Sequence, residues 1–360
     1  MTTKRNAYGC KYFAVVLYTL FFTGFVYGLE DDPPVNSRDN LISWHLLDTT
    51  KILLNATNNI VVSPKDLISL LKAPPKIDLR LGNTNSQTPG QGIILIESRK
   101  KLRNPEHLEL FYHGKIQEIS FNKKTKVLKA INDWGNRTTD QKFSRIFTSE
   151  SKLNDLKVLI INIFHFNETL QVNFKYSVNG TFYVTPKNII KVPSVETTDY
   201  FDYLDSQILD AKVLRLPYSS NLSMYILLPH TKQGVDELLN NLGHEQLKRM
   251  QWMMEESRVN VLLPKFKFFF KTNLEENIRK PSNHRFDVDL QFTFGELVDK
   301  VNIFHITTIN FDGNGKGTAD SKMRQSKYEK FHVDRPFVVY IEEDSTGDII
   351  CIAKVLNPTM

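Results

Sequence analysis

The pattern of hydrophobic positions changes along the chain. Residues 36–54 repeat apolar side chains at helical spacing, and Ser63 with its following proline has the pattern of a helix start. Residues 158–166 are almost continuously apolar, as expected of a strand covered on both faces. Residues 236–254 predict a helix pair broken near Gly243. Further strands are predicted at 213–217, 223–229, 259–270, 337–341 and 349–355. Strands with interspersed helices and no regular βαβ alternation predict an α+β fold.

The first 28 residues have the three parts of a cleavable signal peptide. Lys4 and Arg5 give a basic start, residues 12–26 form an uncharged and mainly apolar run, and cleavage after Gly28 would follow. A signal anchor left in place is the alternative, but no positive charge follows the run to hold it. We therefore expect one exported domain at 29–360, secreted and free of the membrane.

Five N-glycosylation sequons support export. They lie at Asn55, Asn136, Asn167, Asn179 and Asn221. Each has serine or threonine two positions later and no proline between. Such triplets arise by chance about once per 200 residues at ordinary composition, so we expect that at least some carry glycans.

Cysteine usage excludes a domain held together by disulfides. Of the two cysteines, Cys10 leaves with the signal peptide, and Cys351 lies in an apolar run that favours a buried, unreactive thiol. The exported part is long enough to bury a large core, and its 41% hydrophobic content is that of a globular protein. We expect a monomer.

The charge distribution limits the possible partners. The net charge of +6 is spread over the chain, with two basic clusters. They are Arg99, Lys100, Lys101 and Arg103, and Lys123, Lys124 and Lys126. Either cluster could attract a sulfated glycan, although a solvated surface is the simpler interpretation. No DNA- or RNA-binding motif accompanies them, so nucleic acid is not expected as a partner.

Motifs of catalysis are missing from the sequence. There is no Gly-X-Ser-X-Gly elbow and no phosphate-binding glycine loop, and the nine histidines do not have the spacing of metal ligands. We therefore expect neither an enzyme nor a bound cofactor or metal.

Several short motifs together resemble those of the serpin family, and they occur in the family's order. They lie at 59–64, 131–139, 158–166, 216–229, 261–266, 331–337 and 347–358. The resemblance covers nearly the whole exported chain. It implies a fold of three β-sheets and about nine helices. In inhibitory serpins a protease cuts an exposed loop, which then inserts into a sheet as a new central strand and carries the acylated enzyme to the far pole.

The resemblance also assigns that loop to residues 317–331. Its hinge would be Gly317, Thr318, Ala319 and Asp320. Side chains alternate across a strand, so every second residue would turn into the sheet's core on insertion. Those positions are Thr318, Asp320, Lys322 and Arg324, of which three are charged. Burying each charge unpaired costs several kcal/mol, so full insertion is not expected.

The loop is also short. Gly317 and Phe331 are about fourteen residues apart, whereas inhibitory serpins place more than twenty there, and at about 3.3 Å per residue the difference shortens the reach by about 25 Å. Counting back from Phe331 places the reactive bond at Met323–Arg324, which suits a trypsin-like enzyme. The loop could be a protease substrate, a reversible ligand, or a solvated basic turn.

Two more departures from the family accompany the short loop. The helical region after residue 72 is truncated, and the proline- and glycine-rich residues 73–92 predict a loop. Leu170 stands where the family has a tryptophan at the start of insertion. We predict a secreted, non-inhibitory serpin-like glycoprotein, similar to those of insect accessory glands and seminal fluid. A functional inhibitor cut at Met323–Arg324 is one alternative, and a glycan- or protein-binding carrier is another.

Overall fold

The computed structural model describes residues 59–63, 90–98, 109, 114–139, 145–166, 168–174, 176–273, 300–316 and 327–359. All of them lie in the compact unit that covers residues 42–360. The predicted signal peptide and the predicted helices at 36–54 and after Ser63 lie outside these ranges. So does most of the region after residue 72 that is predicted to be truncated.

A five-stranded sheet has the order β10-β11-β4-β2-β3. Its strands are β2 (Gln91–Glu97), β3 (Gly114–Ile119), β4 (Val158–Phe166), β10 (Phe266–Asn273) and β11 (Val301–Phe311). The two central strands, β4 and β11, are parallel, whereas β2–β4 and β10–β11 are antiparallel. β4 and β11 are buried along almost their whole length, as expected of strands that are covered on both faces.

A nine-stranded sheet contains the rest of the strands. They are β1 (Ile60–Val62), β5 (Tyr176–Thr185), β6 (Asn188–Ser206), β7 (Ala211–Pro217), β8 (Leu222–Pro229), β9 (Glu255–Pro264), β12 (Glu329–His332), β13 (Phe337–Glu343) and β14 (Ile349–Val355). The order is β1-β14-β13-β8-β7-β6-β9-β12, with β5 paired to the first half of β6. Phe164 and Ile309 of the small sheet share an apolar cluster with Met224 and Val339 of the large one, so the main core lies between the sheets.

Three α-helices are described. Helix α1 (Lys124–Thr138) covers the outer face of the small sheet, and α2 (Val235–Asn241) and α3 (His244–Met253) contribute to the core beside the large sheet. None of the helices among these residues is long and apolar enough to cross a membrane. Counts of three sheets and about nine helices stay predictions for the whole chain.

The sequence patterns predicted β4, β7, β8, β13 and β14 and the helix break closely, but missed the buried strands β2 and β11. α2 and α3 separate at Leu242–Gly243 as expected. The single strand predicted at 259–270 is wrong, because β9 ends at Pro264 and β10 begins at Phe266 in the other sheet. Buried apolar side chains recur on both sides of Lys265, from Val259 to Leu263 and at Phe266 and Phe268, so the apolar pattern continues across the change of sheet. The predicted loop at 73–92 also ends too late, since β2 begins at Gln91.

Candidate functional site: the β4–β11 seam and the base of the loop

The seam between β4 and β11 is where a strand following β11 could enter the small sheet. Nine residue pairs join the strands, from Val301 opposite Val158 to Ile309 opposite Phe166. A strand returning from the end of β11 would run antiparallel to it, and could pair with it only by displacing β4 or β10. The β4 pairing is parallel and therefore slightly weaker per residue than the antiparallel β10 pairing.

Both faces of this seam are buried. On one face, Leu159 and Ile161 of β4 share a cluster with Val127 and Ile131 of helix α1. On the other face, alternate β4 residues such as Ile160 join the core of the large sheet. Because side chains alternate across a strand, a residue inserted here would be buried whichever way it faced.

A buried cluster of polar side chains joins β4 to β11 by hydrogen bonds. His305 of β11 is fully buried, and its Nδ1 lies 3.0 Å from Oδ1 of Asn162 on β4. Its Nε2 lies 2.7 Å from the Thr307 hydroxyl and 3.3 Å from the Ser63 backbone N–H. Since that N–H can only donate, Nε2 must accept and Nδ1 must donate to Asn162. The cluster therefore holds a neutral imidazole between β4, β11 and the end of β1.

Burial explains the protonation state of this histidine. Removal from water lowers the pKa of His305 to about 3, because the charged imidazolium would lose its hydration. Asn162 and Thr307 are also buried beside it. On the opposite face, Nδ1 of His165 on β4 lies 2.5 Å from the Thr308 hydroxyl of β11. Side-chain hydrogen bonds thus join the two strands on both faces.

The chain leaving β11 is fastened before the loop begins. The Lys316 N–H donates to the Leu170 carbonyl at 3.0 Å, and the Phe174 N–H donates to the Gly313 carbonyl at 3.2 Å. Gly313 has φ of +80°, which favours glycine. A side chain at Gly315 would place its Cβ 2.0 Å from the carbonyl oxygen of Val172, so only glycine allows this close approach. The backbone is therefore held in place as far as Lys316, where the predicted loop begins.

The far end of the loop is anchored as well. Phe331 is fully buried in β12, which pairs in parallel with β9. Nε2 of His332 lies 2.5 Å from Oδ1 of Asn260 on β9, whose amide group donates to Glu196 and Thr198 of β6. Because the Asn260 oxygen accepts, His332 Nε2 donates. Desolvation by burial lowers the pKa of His332.

Several predicted site residues lie outside the described ranges. They are Gly317, Thr318, Ala319, Asp320, Met323, Arg324, Asn55 and Asn167. Asn179 on β5 and Asn221 before β8 are exposed, and Asn136 on α1 is half-buried. Cys351 is buried, as expected, and forms no disulfide with a described residue. Leu170 is buried at the loop base, in β-bridges to Gly315 and Tyr218.

The sequence did not predict the contributions of His305 and Gly315 to this site. Within the described ranges, no group of His, Cys, Asp and Glu side chains could hold a metal ion. Sequence reasoning counted His305 among dispersed structural histidines and gave Gly315 no particular function. A polar residue within the apolar run of β11, opposite Asn162 within that of β4, was the available signal for the cluster.

Comparison with known proteins agrees with this architecture. The family model for "Serpin (serine protease inhibitor)" matches residues 92–358. "Serine protease inhibitor 2" of Anopheles gambiae is 29% identical over 265 residues, or 69% of this chain and 64% of that protein. "Antichymotrypsin-2" of Bombyx mori is 28% identical over 187 residues, or 51% of this chain and 50% of that protein. The chain thus matches less than two-thirds of the length of either relative.

Solved structures show the same fold. Serpin48 of the insect Tenebrio molitor superposes with a TM-score of 0.72 at 22% identity, covering 91% of this chain and 99% of that one. Uncleaved ovalbumin superposes with a TM-score of 0.73 at 20% identity, covering 88% of this chain and 98% of that one.

Proposed function

Because the chain belongs to the serpin family, we propose that it is a secreted glycoprotein whose loop trypsin-like proteases bind or cut without being trapped. The observation that carries the proposal is a mismatch between the length of the free loop and the length of the β4–β11 seam. A suicide inhibitor must draw its cleaved loop down the whole seam.

The mismatch follows from the two loop anchors. Lys316 is the last described residue before the predicted loop, and its backbone is held by a hydrogen bond, so a cut at Met323–Arg324 would release at most residues 317–323 for insertion. Seven extended residues span about 23 Å, whereas nine paired residues of β4 span about 30 Å. Part of the seven is also needed for the turn at the top of the sheet. The cleaved end would stop well short of the far pole.

Charge opposes insertion independently of length. Asp320 and Lys322 would point to the same face of the inserted strand. Both faces of the seam are buried, so the two charges would leave water even if they paired with each other. Desolvation of a buried ion pair can exceed its Coulomb attraction, and each unpaired charge costs several kcal/mol.

Secretion and glycosylation are supported by the signal-like N-terminus and by accessible sequons. Asn179 and Asn221 are exposed on the folded surface, where glycans would meet no steric obstacle. Basic residues through the loop, including the exposed Lys327, suit the specificity of trypsin-like enzymes. The proposed partner is therefore an extracellular serine protease.

The test is incubation with trypsin, followed by denaturing gel electrophoresis and thermal unfolding. We expect cleavage within residues 317–327, no SDS-stable complex, and no rise in Tm after cleavage. Asp320→Ala/Lys322→Ala should show a rise in Tm after cleavage but still form no complex, because its loop is equally short. A variant with Arg324→Gln controls for the cleavage site. A stable complex with the wild-type chain would refute the proposal.

The same assay tests the alternative of a functional inhibitor. That alternative is favoured by the closed parallel seam, in which no described strand lies between β4 and β11. The glycan-binding alternative rests on Lys123 and Lys126, which are exposed at the start of α1 and form no ion pair with a described residue. Retention on immobilised heparin at physiological salt, lost in Lys123→Gln/Lys126→Gln, would support it.

A further inference from the structure

A cavity of ≈ 310 Å³ lies between helix α3 and the turn that joins β6 to β7. Leu209 and Met250 form the buried part of its lining, while Ile208 and Met253 are 70% and 46% exposed at its edge. Leu204 adds a further apolar wall. The volume is at the lower end of sites that hold small molecules.

Hydrogen-bond donors converge on the same cavity. Ser206 lines it and is 8% exposed, and its Oγ accepts the Leu209 N–H at 3.2 Å. No described residue accepts the proton of that hydroxyl. Arg249 also lines the cavity, and its guanidinium forms no ion pair with a described residue. A carboxylate is the group that can accept from both the hydroxyl and the guanidinium.

The turn between β6 and β7, which forms one wall of the cavity, is held in place by hydrogen bonds to His230. His230 at the end of β8 lies with its ring nitrogens 2.8 Å from Asp210 and 2.7 Å from Asp205. Its backbone N–H also donates to the Asp210 carbonyl at 2.9 Å. These bonds fix the turn that carries Ile208 and Leu209. A preformed wall reduces the ordering that a ligand would otherwise have to impose.

We propose that this cavity binds a small monocarboxylic acid with an unbranched apolar tail, of the size of a medium-chain fatty acid. Its carboxylate would accept hydrogen bonds from Arg249 and Ser206. Its tail would contact the two methionines, whose flexible side chains adapt to an irregular ligand. Glu245 also lines the cavity, one helical turn from Arg249, and because both side chains are exposed, water screens the repulsion by Glu245 and the attraction to Arg249 alike. The hydrogen bond from the buried Ser206 hydroxyl is therefore part of what selects a carboxylate. The site is separate from the loop, and the proposal does not rest on the one for proteases.

Isothermal titration calorimetry with decanoate and with decanol as the matched uncharged probe tests the site. The wild-type chain should bind decanoate saturably at one site. Arg249→Gln should weaken decanoate about tenfold or more, because it removes a charged hydrogen bond, and change decanol by less than about twofold. Ile208→Asp should weaken both probes about tenfold, since it places a charge beside the tail.

Two exposed positions provide matched controls. Lys248→Gln removes a charge from the same helix outside the cavity, and Ile189→Asp changes an exposed isoleucine elsewhere on β6. Both should bind decanoate like wild type, and all four variants should keep the wild-type Tm. Absence of saturable decanoate binding below its micelle concentration would overturn the proposal. So would equal losses for Arg249→Gln and Lys248→Gln, or for Ile208→Asp and Ile189→Asp.

Discussion

The buried histidine in the seam makes the stability of the fold depend on pH in a predictable direction. Burial lowers the pKa of His305 to about 3, whereas an unfolded histidine has a pKa near 6.5. Below pH 6.5 the unfolded chain binds a proton that the folded chain does not, so stability falls as pH falls towards 3. Each pH unit in this window removes about 1.4 kcal/mol, which amounts to about 2–3 kcal/mol between pH 6.5 and pH 4.5.

Comparison with His305→Gln isolates this contribution. Glutamine keeps a donor and an acceptor for Asn162 and Thr307 but cannot titrate. Urea unfolding of both proteins at half-unit steps from pH 4.5 to pH 8 gives the difference in unfolding free energy at each pH. All other titrating groups cancel in that difference. Wild type should be the more stable protein above pH 7, and its advantage should shrink steadily as pH is lowered below 6.5.

A constant difference across this range would refute the assignment of a buried, neutral imidazole. An advantage that grows towards acid would mean that folded His305 is protonated, which would require Ser63 and Thr307 to be arranged differently around Nε2. Measuring the denaturant dependence as well as the midpoint checks that the variant exposes the same surface on unfolding.

Three other outcomes follow from the structure. Gly315→Ala should lower Tm and speed proteolysis of the loop, because its Cβ meets the Val172 carbonyl, whereas Gly243→Ala, which meets only the end of a glutamine side chain, should change both less. Burial raises the pKa of Glu342 to about 7, so the free energy of unfolding falls as pH rises from about 4.5 through 7. Glu342→Gln should therefore stabilise the fold by about 2–3 kcal/mol at pH 8 but not at pH 4, as measured by urea unfolding. The Asn179→Gln variant, secreted from a eukaryotic cell, should be lighter than wild type by one glycan on a gel. Equal mobility of the two proteins would show that this sequon is unused.

Sequence patterns predicted several parts of the fold in which burial is uniform, but missed β2 and β11, which are also buried along most of their length. The run from Val158 to Phe166 could be assigned because both faces of β4 are covered, and α2 and α3 could be assigned because each buries one stripe. β5 and β6 were missed since much of their length faces solvent and carries polar residues. The change of sheet at Lys265 leaves no trace in the apolar pattern.

The candidate site was accessible to sequence reasoning only in part. The charges and length of the loop can be read directly along the chain. The anchors cannot, because Gly315 contacts Val172 and His305 contacts Asn162 across more than 140 residues of sequence. The cavity beside α3 likewise joins residues about 40 positions apart, and no local motif marks it.

The balance of hydrogen bonds and charges in the seam decides whether a cut loop enters it. Opening the seam breaks the pairing of nine residues, while at most seven inserted residues could pair on both sides, so backbone hydrogen bonds alone would favour insertion by at most a few kcal/mol. Burial of Asp320 and Lys322 opposes it by a comparable or larger amount. Because these two contributions to the free energy of insertion are of similar size, the charges of Asp320 and Lys322 determine whether insertion is favourable. Removing them should therefore allow partial insertion, while the short reach would still prevent a trapped protease.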